Sequence, residues 1–512
     1  MTNSLSEAEA RFLELRDAHD AQEVARARGE PTRDHESRLV LALEALRRTL
    51  GALDDVQDDR RAMAAMRRVA DEIEAGREAV PVAGSIDRAA CGDEDAWAVA
   101  AEAGIDALNE RLAACFAAEQ SAVRVGSETI TRLDVLARLA LEADRTTRRG
   151  LFVSLEPIWR SVDRDGGPSS PYRRRLQLSA ERWAAGASPV DANAVALGID
   201  PESVESTLVA ILEAWQPAAR AADPIEPWDW WYQAGEADRG LEAAIPFERL
   251  REISDGYHRA LGADPDALGI RFDTDPRADR PPIPVAFTTF GRRSRIEPWV
   301  FATYANGGLA ELTELLHETG HAIHLAGIRT RPAFADWPDS DAFTEALAEL
   351  TSLDSAEPDW QASWLGRSVP ARDALRGRYA DVILDVAWAL LEIHLHADPD
   401  RVPNDVWAEI TGTYLGIVPH PEWSWWAIRA QLAQEPGYMA NYAIGAILAA
   451  DMRAAIRGAR GDWIGGDPGW YGWVSERLYR HGAERSSGEV LAGLLGRAPT
   501  ADALVVQIAR IG

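Results

Sequence analysis

Residues 313–324 read TELLHETGHAIH, which sets two histidines four apart with a glutamate directly after the first. On a helix, positions i and i+4 share one face a turn apart, so the imidazoles of His317 and His321 can both reach a single ion. Zinc suits imidazole nitrogen at about 2.0–2.1 Å, and a catalytic zinc takes three protein ligands and a water. Glu318, beside a ligand, is placed to receive the proton of that water as a general base. The plainer alternative is a solvated polar helix face. With 10 histidines in 512 residues, the pattern arises by chance on the order of once in fifty such chains, which favours a site. His324 does not extend the pair: seven residues of helix rise about 10 Å, too far for one ion to bond both ends. It reads as a neighbour of the pair or as a group behind one of the ligands.

A third ligand has to come from another element. SDAFTEALAELTSLDS (340–355) opens on a Ser/Asp helix-start signal, and Phe343, Leu347 and Leu350 give it an apolar side. Glu345 and Glu349 lie four apart on one face of that helix. Glu345 follows His321 by 24 residues, enough for a helix end, a loop and a second helix, and it becomes the expected ligand. Glu349 is then the carboxylate that holds the free N–H of a ligand histidine. Both glutamates would read as ordinary surface acids without the histidine pair.

The elements that must carry these groups are mostly helical. Residues 5–150 are rich in Ala, Leu, Glu and Arg, with apolar residues at helical spacing in RFLELRDAHDAQEV, SRLVLALEALRRTLGAL and TRLDVLARLALEADRTTRRGLF, which predicts several long packed helices. DRDGGPSSPYRRR (163–175) marks a loop or a lobe boundary. The one clear strand pair is IPVAFTTF with EPWVFATYA, within 283–305 and joined by the basic turn GRRSRI. No repeat of fixed period is evident. The pattern predicts a mainly α fold with a small antiparallel β-sheet beside the motif helix. It divides into a helical N-terminal lobe (1–162), a connecting loop and helices (163–225), and a catalytic region (226–512).

HETGHAIH followed by FTEALAEL resembles the thimet oligopeptidase and oligoendopeptidase F family of zinc metallopeptidases, in which a glycine before the second histidine is usual. EPWDWWYQAG (226–235), LGIRFD (268–273), EPWVFATYANGGLAELTELLHETGHAIH and EPGYMANYAIGA (435–446) resemble further segments of that family in the same order. The similarity runs from about residue 226 to the end. The related angiotensin-converting-enzyme-like and carboxypeptidase Taq-like peptidases share the same zinc logic. The resemblance implies a two-lobed helical metallopeptidase with a deep cleft, one zinc held by His317, His321 and Glu345, and Glu318 as base. It also implies that Tyr438 and Tyr442 hydrogen-bond the substrate carbonyl as it becomes an oxyanion, a task that chemistry asks of some such donor. Core packing is the competing role for both tyrosines. The strand WVFATYA would then pair with a peptide backbone. The histidine that usually precedes the tyrosine segment is missing from RAQLAQEPGY; His420 lies nearby in sequence, and Ala440 and Gly445 stand where relatives carry further tyrosines.

Composition narrows the rest. Hydrophobic residues make up 46% and charged residues 27%, ordinary for a soluble globular protein. A net charge of -28, from 82 acidic and 54 basic side chains, repels nucleic acid and anionic lipid. The first residues show no secretory pattern, and the longest nearly apolar run, YAIGAILAA, is too short to span a bilayer. With two cysteines, Cys91 and Cys115, neither a disulfide framework nor a cysteine metal site is expected, and the reading is cytoplasmic. The expected activity is zinc-dependent hydrolysis of short oligopeptides. The rival readings are a specialised small-molecule amide hydrolase and a non-catalytic binding protein on the same scaffold.

Overall fold

The computed structural model describes residues 4–53, 60–78, 88–164, 166–186, 188–220, 224–280, 282–283, 285–289 and 297–512. Helices dominate it, as the periodicity predicts, and none among the described residues is long and apolar enough to cross a membrane. Leu5–Ala27, Arg33–Gly51 and Arg60–Glu78 pack on one another around Phe12, Leu43, Leu46 and Met66, and Phe334 closes that small core. The segment TRLDVLARLALEADRTTRRGLF divides into two helices, Arg132–Leu141 and Arg145–Val153. The break falls there because the Asp144 carboxylate caps Thr147 while its own N–H is taken by the Glu142 side chain.

Two larger hydrophobic cores make up the rest. One joins helices of the first half to the long helix Ala371–Ala397 and is filled by Trp159, Trp388, Trp407, Trp425 and Trp426. The other gathers the motif helix Gly308–Gly327, the glutamate helix Asp341–Ser352 and the neighbouring sheet around Leu315, Leu316, Phe343 and Leu347. The tyrosine helix, Met439–Arg460, belongs to both: Ala443 and Ile447 face the first core, Ile444, Leu448 and Met452 the second.

The sheet has three short strands in the order β3-β5-β4, where β3 is Arg271–Asp273, β4 is Phe287–Thr289 and β5 is Trp299–Phe301. β4 and β5 are the expected antiparallel pair, with Thr288 opposite Val300; the turn GRRSRI lies outside the described residues. β3, from LGIRFD, adds a parallel neighbour to β5 that periodicity had not signalled. It corrects one expectation: β5, within WVFATYA, is the central strand with both edges occupied, so it cannot accept an added peptide strand. β4 is the edge strand on the motif-helix side. A separate hairpin, β1 (Val123–Val125) with β2 (Glu128–Ile130), turns at Gly126 and was also not expected.

The cysteine reading is corrected as well. Cys91 and Cys115 form a disulfide with their Cα atoms 5.7 Å apart. The cause is packing: Cys91 ends the short helix Arg88–Cys91, which lies against Ile105–Gln120, where Cys115 is fully buried. Two isolated cysteines 24 residues apart carry no trace of that contact in their spacing.

Candidate metal centre

The motif helix starts abruptly because its entry is glycine. Gly307 and Gly308 have φ of 76° and 86°, and a Cβ on Gly307 would fall 2.3 Å from the Ile245 carbonyl oxygen. The exposed amides of the entry are satisfied by carboxylates: Glu311 accepts from the N–H groups of Ala305, Asn306 and Gly307, and Asp238 accepts from Leu309 at 2.6 Å. The glutamate helix begins at Ser340, whose hydroxyl caps the Phe343 N–H. Gly320 lets the two helices touch. A Cβ there would lie 2.5 Å from the Ala348 carbonyl oxygen, so the backbones meet where Glu345 and Glu349 project toward the histidines.

That contact brings His317, His321 and Glu345 together, with one donor atom from each lying within 4.8 Å of the others. His317 Nε2 is 3.3 Å from Glu345 Oε2, and His321 Nε2 is 3.6 Å from Glu345 Oε1. Ligands bonded tetrahedrally at about 2.0–2.1 Å stand roughly 3.3–3.4 Å from one another, so the donor spacing and the N, N, O donor set fit a zinc ion. The imidazoles are perpendicular, with ring centres 4.7 Å apart. Glu349 Oε1 lies 3.3 Å from the other nitrogen of His317, while its Oε2 accepts from Arg378 and the Ser352 hydroxyl. His321 has no such backing: its Nδ1 is buried without a hydrogen-bond partner, and the edge of Trp337, 5.6 Å away, fixes the ring by packing.

Electrostatics mark the same spot. Burial opposes charge on His317, but hydrogen bonds and charge from Glu345 and Glu349 outweigh it and hold the imidazole well above its usual range. Burial likewise opposes the charged form of Glu345, and the two histidines overcome it and hold this carboxyl below the ordinary carboxylate range. For Glu349 burial is overcome chiefly by Arg378. The cluster is built to surround positive charge. His324, fully buried one turn on, is excluded from it: neither ring nitrogen has a partner, it packs against Trp337 and Tyr479, and burial lowers it to about 3.

Glu318 reaches from the motif helix to the sheet. The residue is 6% exposed, and its carboxylate accepts a 2.7 Å hydrogen bond from Thr288 of β4, whose hydroxyl also lies 2.9 Å from the Glu318 carbonyl oxygen. Beside the triad a cavity of about 500 Å³ opens at the seam of the two large cores, lined by His317, Glu345, Tyr442 and the long helix Ala371–Ala397. Tyr442 lines the cavity, its phenol oxygen accepting from the Gln431 amide at 2.9 Å and its ring lying under Arg429. Tyr438 stands edge-on to it at 5.5 Å, at the start of the tyrosine helix. Burial raises both phenols, and the charge of Glu345 adds to each, so both are within its field. Gly445 of this helix rides on Ala342 of the glutamate helix, which sets the tyrosines beside the triad.

His420 is elsewhere. Its ring nitrogens lie 2.8 Å from Glu226 and 2.6 Å from Glu422, and the ring stacks on Trp423; it is not among the residues that line the cavity. Sequence reasoning had not reached Thr288, Arg378 or Gln431. Each acts on the site through a contact between segments, and none is marked in the sequence: Arg378 is one of three arginines at 372–378, with Arg372 and Arg376.

No protein-family model matches the chain, and no curated protein matches it in sequence. Solved structures do. The M32 carboxypeptidase from Deinococcus radiodurans R1 is 15% identical with a TM-score of 0.55, the match covering 98% of this chain and 97% of that one. A protein assigned as an oligoendopeptidase F is 15% identical with a TM-score of 0.58, over 100% and 96%. BsuCP gives 15% and 0.54, over 98% of each chain. Over essentially its whole length, this chain has the fold of an M32 carboxypeptidase and of an oligoendopeptidase F.

Proposed function

We propose that this protein is a zinc-dependent peptidase acting on short peptides, with His317, His321 and Glu345 as the ligands. The observation that carries the reading is the donor triad, spaced for a tetrahedral ion, with a buried carboxylate on the adjoining residue. Bound zinc supplies Lewis-acid polarisation of a carbonyl and lowers the pKa of water. The remaining work falls to the chain. Glu318 takes a proton from the attacking water and returns it to the leaving amine, and Thr288 holds one carboxylate oxygen so that the other faces the reaction. Tyr442 and Tyr438 donate to the carbonyl oxygen as charge gathers on it, Gln431 orienting the first of them. The outer edge of β4, unpaired among the described residues, offers main-chain hydrogen bonds to an extended peptide beside Glu318.

The relatives in fold support a peptide substrate over a small amide, since one is named a carboxypeptidase and another an oligoendopeptidase. A non-catalytic binder would have no use for a carboxylate held as Glu318 is. Glu318→Gln tests the reading: zinc content and peptide binding are expected to persist while turnover of a mixed peptide library is lost, because an amide cannot accept the proton. Full turnover in that variant refutes the mechanism.

A further inference from the structure

The cavity beside the triad has two kinds of lining. Much of its wall is alanine, including Ala234, Ala237, Ala446 and Ala450, with Trp231 and Val382. Its acids are mostly committed. Glu345 and Glu349 face the histidines, Asp238 caps the motif helix, and Asp385 pairs with Arg429 at 2.9 Å. Glu314 lies beside Tyr304 and Glu318 on the motif helix. Asp381 differs from all of these. It lies on the long helix one turn before Asp385 and one turn after Arg378, on the face that lines the cavity. It has no hydrogen bond or ion pair among the described residues. Its side chain is exposed where it lines the cavity; desolvation raises its carboxyl, and the charges of Arg429 and Arg378 work against that rise. Its nearest arginines are engaged elsewhere, Arg378 with Glu349 and Arg429 with Asp385.

A largely apolar cavity wall beside a carboxylate with no hydrogen bond or ion pair among the described residues matches one side-chain chemistry: a long hydrocarbon stem with a cation at its tip. Building on the peptidase reading, we propose that this cavity receives a lysine or arginine side chain of the substrate, with Asp381 as its counter-ion. The stem runs along the alanines, and the triad at the cavity mouth faces the peptide backbone. The net charge of -28 adds a long-range field that draws cationic peptides.

The test uses the full zinc-loaded chain and N-acetylated alanine tetrapeptides carrying lysine, or norleucine as the stem without the cation, at each position in turn. At one position lysine is expected to exceed norleucine at least tenfold in kcat/KM. Asp381→Asn is expected to bring the ratio within twofold and leave the norleucine peptide and zinc content unchanged, while Asp381→Glu retains the preference. Equal rates for both peptides in the wild type, or a preference that survives Asp381→Asn, overturns the proposal. If no peptide is cut, equilibrium binding of the same peptides, read by tryptophan fluorescence, decides it. Lysine-selective binding that Asp381→Asn abolishes sustains the cavity assignment and removes only the peptidase reading; binding without charge selectivity overturns the assignment.

Discussion

Gly320→Ala is a single methyl placed between two helices whose contact creates the donor triad. The new Cβ would sit 2.5 Å from the Ala348 carbonyl oxygen and 2.9 Å from the Ala348 Cα, both backbone atoms that no rotamer change can move aside. Relief to an ordinary contact of about 3.4 Å requires the helices to part by roughly 0.9 Å. Glu345 and Glu349 ride on the retreating helix, so their separations of 3.3–3.6 Å from the imidazoles would open by a comparable amount. Metal–ligand distances tolerate only about 0.2 Å. Zinc affinity is therefore expected to fall by about 10–100-fold or more, the scale seen when the groups that orient ligands are disturbed. Stability should move far less: alanine gains about 1 kcal/mol over glycine in a helix interior, against about 1–3 kcal/mol for overpacking. Competition with a chromophoric chelator gives the affinity, and denaturant unfolding of the metal-free protein gives the stability. An alanine variant with wild-type zinc affinity refutes the claim that helix approach at Gly320 sets the triad.

Three further outcomes are expected. His321→Ala should lose most of its zinc at neutral pH, whereas Glu349→Ala should weaken binding about 10–100-fold; metal analysis that finds Glu349 indispensable and Glu345 dispensable reverses the ligand assignment. Tyr442→Phe, and less so Tyr438→Phe, should lower kcat with KM and zinc content nearly unchanged, a loss of about 2.7–4 kcal/mol if the phenol is a principal oxyanion donor; near-normal steady-state turnover in both makes them packing residues. Glu392 is 1% exposed, accepts from the N–H groups of Gly437 and Met439, and is raised by burial from 4.5 to about 7. Its stabilising contribution is full below about pH 4.5 and lost as pH rises through about 7. Glu392→Gln should therefore gain roughly 3 kcal/mol relative to wild type between pH 4.5 and 8; denaturant midpoints that shift in parallel at both pH values contradict this.

Much of the site was legible because its chemistry is local in sequence. His317, Glu318 and His321 fall within five residues, and helical periodicity alone placed Glu345 and Glu349 on one face of the next helix. The strand pair β4–β5 announced itself through β-branched and aromatic residues. What escaped depends on contacts between distant segments. β3 is three residues long and takes its strand character from β5 alone. The cysteine pair depends on how two helices cross, and Asp381 reads in sequence as one polar residue of a long helix, with no mark of the cavity it faces. The contact of Glu318 with Thr288 likewise needed three dimensions.

The division of labour between the two large cores bears on how such a protein can change. The triad is anchored in the core of the motif and glutamate helices, whereas Asp381 and Asp385 stand on a helix rooted in the other. Substitutions on the cavity face of Ala371–Ala397 can therefore alter which side chains are admitted without shifting the ligands, Arg378 excepted because it grips Glu349. Under the proposed function, selectivity becomes a surface that can drift, by mutation or by design, while the candidate metal centre stays put. The tyrosine helix has no such latitude: it is packed from both sides, and any bulkier residue along its buried faces disturbs two interiors at once.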